Sequence, residues 1–142
     1  MDIMHYVGLD IHKKTISFCL KVVDGTVVRE GVMNATRQDL DGRLVGLPKP
    51  WMGAMEATIF TSWVYDHLLP HAAKLKVAHP LMLRAIAAAK RKNDCIDART
   101  IADLLRVDLL PECYMAELLP DGLIQPVLPS QILPVIFLWD LQ

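Results

Sequence analysis

The chain has 142 residues, 53% of them apolar and 22% charged, which fits one globular domain with a buried core. Its formal net charge of −1 excludes a strongly basic protein, so any nucleic-acid contact must come from a local patch. Cys19, Cys95 and Cys113 share no close spacing, which excludes a C-x-x-C zinc or redox motif and predicts a reduced, cytoplasmic setting. The late apolar run over 132–139 is too short to span a bilayer, so we expect no membrane partner.

The first third of the chain predicts an antiparallel meander of three strands, over residues 4–11, 15–23 and 26–34. The Asp24-Gly25 dipeptide between the second and third strands is a strong signal for a tight hairpin turn. The strands are therefore expected to follow one another in space as they do in the chain.

The middle of the chain alternates helices and strands. Thr36 and Thr58 are predicted to cap the first two helices, and Pro80 suits the first turn of the third. Two further strands are predicted over residues 51–56 and 74–79, and a last helix over residues 94–106. The resulting order, β-β-β-α-β-α-β-α, predicts an α/β fold of the RNase H-like type, a mixed five-stranded sheet with flanking helices.

Residues 116–142 differ in character from the rest of the chain. They contain Pro120, Pro126, Pro129 and Pro134 but no Lys or Arg, whereas residues 1–115 contain all 15 basic residues. We therefore expect one domain over residues 1–115, followed by an irregular Pro-rich tail over residues 116–142.

Four acidic residues stand where a metal site is expected in such a sheet. Asp10 and Glu56 end predicted strands, and acids at the ends of neighbouring parallel strands can project to one edge. Asp94 and Asp97, three residues apart at a predicted helix start, are expected on one helical face. Each acid alone has an ordinary alternative, such as a strand-end Asp bonded by loop amides or a Glu favoured by a helix dipole. Together, the four could supply the oxygen ligands that two Mg²⁺ ions need to act on a phosphodiester.

Basic residues surround the acidic pair. The segment from Arg84 to Arg106 has six cations against three acids, a patch that can neutralise phosphates, although a solvated basic turn would look the same. The predicted nucleic-acid contacts are Lys13, Lys14, Lys90, Arg91, Lys92 and Arg99.

Three segments resemble a known family: YVGLDIHKKT from residue 6, GAMEAT from residue 53 and KRKNDCIDARTIADLLR from residue 90. They are similar to the DEDD-type transposases of bacterial insertion sequences, which are related to the Piv-type DNA invertases and have a RuvC-like N-terminal domain. The resemblance covers about residues 4–115.

This resemblance implies a function as well as a fold. The tetrad would fall on Asp10, Glu56, Asp94 and Asp97, which would bind Mg²⁺ or Mn²⁺ for phosphodiester chemistry on DNA during transposition or site-specific recombination. DNA is the implied partner. The element's own structured RNA and a homo-oligomer of the full-length protein are implied as well.

The chain departs from the family pattern after about residue 115. Full-length members continue into a second domain that supplies a serine, and residues 116–142 do not match it, so we expect a truncated chain with incomplete recombination activity. One alternative is an inactive remnant that only binds nucleic acid or a partner transposase. Another is a fragment of an actin-like sugar or acetate kinase, although 142 residues with seven Gly leave no room for that fold's second phosphate loop.

Overall fold

A computed structural model describes residues 3–90, 97–113, 116–118 and 124–126 of the chain. The strands are β1 (His5–Ile11), β2 (Thr15–Lys21), β3 (Val27–Asn34), β4 (Trp51–Glu56), β5 (Lys74–Ala78), β6 (Glu112–Cys113), β7 (Ala116–Leu118) and β8 (Ile124–Pro126). The helices are α1 (Arg37–Leu40), continued by a π-helical turn (Asp41–Val45), then α2 (Thr61–Leu68), α3 (Pro80–Lys90) and α4 (Ala98–Arg106).

The main sheet has the strand order β3-β2-β1-β4-β5-β6. β1 pairs antiparallel with β2 and parallel with β4, and β4 pairs parallel with β5. This is the mixed α/β arrangement of an RNase H-like fold, so the predicted fold class and all five predicted strands are confirmed. The two-residue β6 adds a sixth strand, antiparallel to β5.

The segment predicted to be an irregular tail contains β7 and β8. These strands pair with each other in a separate two-stranded sheet. The sequence pattern did not predict them, and the proposed domain boundary near residue 115 stays a prediction. No helix among the described residues is both long and apolar enough to cross a bilayer.

The hairpin between β2 and β3 turns at Asp24-Gly25, as predicted. Gly25 has a φ of +91°, a conformation that costs glycine little because it has no Cβ. Its N–H donates to the carbonyl of Val22 at 2.9 Å, and Asp24 Oδ1 accepts from the N–H of Thr26 at 2.8 Å.

Helices cover both faces of the sheet. On one face, Val7 and Leu9 of β1 belong to the cluster that contains Leu40, Leu44 and Leu68 of the first two helical regions, all fully buried. On the other face, a smaller cluster forms between the sheet and the helices α3 and α4; its buried members are Ala54, Ala78, Leu83, Ile101, Leu104 and Leu105. Because successive side chains of a strand alternate between faces, Asp10 lies on the face covered by α4.

The backbone of α4 lies directly against β1. A Cβ added to Gly8 would be 2.1 Å from the carbonyl oxygen of Ala98 and 2.5 Å from the nitrogen of Ala102. The last turn of α4 is held by Asp103, which accepts from Lys21 Nζ and from Arg106 Nε, each at 2.8 Å. The position of α4 on the sheet is therefore fixed by backbone contact as well as by ion pairs.

Two predicted helix starts are wrong. Asp97 has an extended backbone, with φ −118° and ψ 175°, so the last helix begins at Ala98 and not at residue 94. Thr58 does not cap α2, which begins at Thr61 with Phe60 as its N-cap. The hydroxyl of Thr58 instead accepts from the N–H of Phe60 at 3.2 Å. In both places, a side-chain oxygen accepts from a nearby backbone N–H, and the helix begins later in the chain than predicted.

The substitution Gly8→Ala tests the contact between α4 and β1. The added methyl group must displace the helix backbone, so we expect a loss of about 1–3 kcal/mol in the free energy of unfolding. Gly42→Ala is the matched control, because a Cβ there would meet nothing within 4 Å. Urea unfolding followed by circular dichroism measures both, and equal midpoints for the two variants would contradict the packing described here.

Candidate metal and nucleic-acid site

Asp10 and Glu56 occupy corresponding positions on neighbouring parallel strands. The β1–β4 pairing runs to Leu9 opposite Met55, and each acid is the next residue of its strand. Adjacent strands lie about 4.8 Å apart, so the two side chains leave the sheet close together on the same face. Their exposed fractions are only 21% for Asp10 and 15% for Glu56.

The electrostatic environment of Glu56 favours the protonated acid. Burial raises the pKa of Glu56 above its usual range, the nearby Arg84 lowers it, and the charge of Asp10 raises it again. A buried carboxyl group beside a second carboxylate is destabilised when it ionises. A bound cation would relieve this cost.

Each of the two acids also faces a basic side chain at the protein surface. His12 Nε2 lies 3.1 Å from Asp10 Oδ2, and Arg84 Nη2 lies 3.8 Å from Glu56 Oε1. Both basic side chains are 61% exposed, and exposed pairs of this kind contribute only about 0–1 kcal/mol. The carboxylates therefore remain accessible to another cation.

Asp97 lies on the same face of the sheet, at the start of α4. Its Oδ1 accepts from the N–H of Thr100 at 2.9 Å and from the hydroxyl at 3.0 Å, while no described residue donates to its Oδ2. Asp97 and Ser17 line one cleft of about 240 Å³, and Ser17 is the cross-strand partner of Asp10. Asp97 is the N-cap of α4, and its pairing with Asp94 on one helical face stays a prediction. Asp94 itself lies outside the described residues.

The residues at this edge fit a divalent metal. Mg²⁺ uses one or two protein carboxylates and keeps waters or substrate phosphate oxygens as its other ligands. Asp10 and Glu56 meet that requirement, and Asp97 lies on the same face beside Ser17, the cross-strand partner of Asp10. Within the described part of the chain, no three His, Cys, Asp or Glu side chains already converge on one ion position.

The predicted nucleic-acid contacts occupy different settings. Lys13 and Lys14 are exposed in the turn that follows β1, directly beyond Asp10. Lys90 ends α3, whereas Arg91 and Lys92 lie outside the described residues. The side chain of Arg99 is engaged with Glu30, as described below.

Residues 7–114 match the family model of the IS110-type DEDD transposases. The match covers about three quarters of the chain and includes all four acids of the predicted tetrad. The chain belongs to this transposase family. The match confirms the resemblance and favours a transposase over a kinase fragment. The family generally uses divalent metals, and membership implies DNA as the partner. No curated protein matches the chain.

Sequence reasoning missed two residues whose side chains bond to residues of the candidate site. Thr61 is 1% exposed, and its hydroxyl donates to the carbonyl of Glu56 at 2.8 Å while it accepts from the N–H of Thr58 at 2.8 Å. Glu30 binds Arg99 across 69 positions of sequence. Thr58 and Thr61 are close in sequence, so their turn could have been predicted from the local residue pattern. The Glu30–Arg99 ion pair joins distant parts of the chain and has no local sequence signal.

The raised pKa of Glu56 predicts the direction in which the stability of the fold changes with pH. Its pKa is higher in the folded than in the unfolded state, so the associated stability is present below the unfolded pKa and is lost as pH rises through the folded pKa. At pH 7 without metal, Glu56→Gln should therefore raise the Tm by a few degrees, and the difference should shrink as pH falls through the folded pKa and vanish below the unfolded pKa. Thermal melts in EDTA measure this.

Glu30→Gln is the control of opposite sign for this test. A hydrogen bond from Arg99 lowers the pKa of Glu30, so the ionised form stabilises the fold at pH 7 and its removal should lower the Tm. A Glu56→Gln variant that melts below the wild type at pH 7 would contradict the unfavourable ionisation of Glu56.

Proposed function

We propose that this transposase domain carries out metal-dependent phosphodiester chemistry on DNA in insertion-sequence transposition or site-specific recombination. The proposed metal ligands are Asp10, Glu56, Asp94 and Asp97. The observation that carries the proposal is the placement of Asp10 and Glu56 at matching positions of adjacent parallel strands, both largely buried.

A bound divalent metal would polarise the phosphodiester and stabilise the charge on the attacking and leaving oxygens. Asp10 and Glu56 would hold it from the sheet, and the Oδ2 of Asp97 would approach from α4. His12 now contacts Asp10, and Arg84 lies 3.8 Å from Glu56. Once released, these side chains could contact phosphate oxygens instead. Mg²⁺ and Mn²⁺ both suit this set of oxygen ligands.

The proposed DNA surface begins at the turn between β1 and β2. Lys13 and Lys14 extend there into solvent, next to the strand that contains Asp10. Lys90, the last residue of α3, and Arg91 and Lys92, which lie outside the described residues, are further proposed contacts. We assign Arg99 a different role below. The element's RNA and a homo-oligomer remain expectations from the family resemblance.

Metal binding is tested by thermal melts with and without millimolar Mn²⁺. A ligand that binds only the folded state raises the Tm by mass action, so the wild type should be stabilised. The double variant Asp10→Asn/Glu56→Gln should show no such rise. Asp66→Asn, an exposed acid of α2, should respond to Mn²⁺ as the wild type does. An equal rise in the double variant would exclude these two acids as ligands.

DNA binding is tested by the salt dependence of affinity for a short duplex. Lys13→Gln/Lys14→Gln should weaken binding and reduce the slope of log K against log salt by about one for each phosphate that a lysine no longer neutralises. Lys49→Gln is the control, since this exposed lysine precedes β4 at the opposite end of the sheet. Equal slopes for the wild type and the double variant would place the DNA elsewhere.

A further inference from the structure

The first turn of α4 lies over the β2–β3 hairpin. Asp97 and Arg99 line the cleft described above together with Ser17 of β2 and with Glu30 and Val32 of β3. The strand register explains this grouping. Asp10, Ser17 and Val32 form one row across three strands, and Gly8, Cys19 and Glu30 form the next row.

A two-point ion pair joins this turn to β3. Arg99 Nε donates to Glu30 Oε2 at 2.7 Å, and Arg99 Nη2 donates to Glu30 Oε1. Two parallel hydrogen bonds between a guanidinium and a carboxylate fix direction as well as distance. β3 is an edge strand of the sheet, two strands away from β1. The side chains of Arg99 and Glu30 are 59% and 39% exposed, so the link depends on this two-point geometry, and it joins α4 to the sheet two strands away from Gly8.

The orientation of Asp97 depends on this turn. Because Thr100 holds Oδ1 of Asp97 with both its N–H and its hydroxyl, the carboxylate moves with the helix start as one unit. Arg99 lies between those two residues in the chain. A rotation of the first turn about the Gly8 contact would move Asp97 relative to Asp10, and the link to Glu30 opposes that rotation.

We propose that Glu30 and Arg99 are positioning residues, whose ion pair holds the first turn of α4 on β3 so that the Asp97 carboxylate faces Asp10 at the metal site. This inference rests on the proposed function. It removes Arg99 from the DNA surface predicted from the sequence, because two of its guanidinium nitrogens are bonded to Glu30 although the side chain is 59% exposed.

Because the two partners have opposite charge, single variants can distinguish a positioning role from a purely electrostatic effect on the metal. If they acted on the metal only through charge, Glu30→Gln would weaken Mn²⁺ binding and Arg99→Gln would strengthen it. As positioning residues, both variants should weaken binding, each by about tenfold, as changes in residues that orient metal ligands commonly do. Titration of free Mn²⁺ by electron paramagnetic resonance gives the affinities.

Two further variants separate positioning from general damage to the fold. The exchanged double variant Glu30→Arg/Arg99→Glu can re-form an ion pair and should recover most of the affinity. Asp41→Asn removes the carboxylate that contacts His67 at 2.7 Å, between the π-helical turn and α2, and should leave Mn²⁺ affinity unchanged.

The outcomes distinguish this inference from the proposed function. Opposite effects of the two single variants, or wild-type affinity in both, would overturn the positioning role and leave the metal site in place. A reduced salt slope for DNA binding in Arg99→Gln but not in Glu30→Gln would also overturn it, since Arg99 would then contact phosphate. A wild type that binds no Mn²⁺ would contradict the proposed function itself, and this inference with it.

Discussion

The close approach of α4 to β1 at Gly8 is the constraint on which the candidate site depends. Any side chain at this position would meet the backbone of Ala98 or Ala102. The helix can therefore lie there only because residue 8 is a glycine, which has no side chain. This contact brings the N-cap Asp97 to the face of the sheet that carries Asp10. Two residues of the YVGLD segment are thus linked, since Gly8 lets α4 approach the strand and Asp10 lies two residues further along the same face.

The same face carries an electrostatic cost. Asp10 and Glu56 are largely buried next to each other, and burial raises the pKa of Glu56. A sheet that served only as a scaffold would be more stable with apolar residues at these positions. His12 and Arg84 offset part of the charge from the solvent side. A divalent cation would offset more, which is the physical reason for assigning the site to metal.

The sequence predicted the order of strands and helices along the chain well because its signals are local. Apolar runs, the Asp24-Gly25 turn and the prolines each act within a few residues, and the strand ends at Asp10 and Glu56 follow from them. The start of α4 was misplaced because charge and helix periodicity extend back to residue 94, whereas the bonds from Thr100 make Asp97 the N-cap, so that the helix begins at Ala98. The Glu30–Arg99 pair could not be predicted, since it depends on the packing of α4 across the hairpin. Arg99 consequently looked like a DNA contact.

The central claim is that Asp10 and Glu56 hold a divalent metal together. The most direct measurement is an anomalous difference map from crystals of the chain grown with millimolar Mn²⁺. We expect a peak within bonding distance of a carboxylate oxygen from each of the two acids, with His12 and Arg84 turned away. A map with no peak there, in which Asp10 still contacts His12 and Glu56 still contacts Arg84, would contradict the claim.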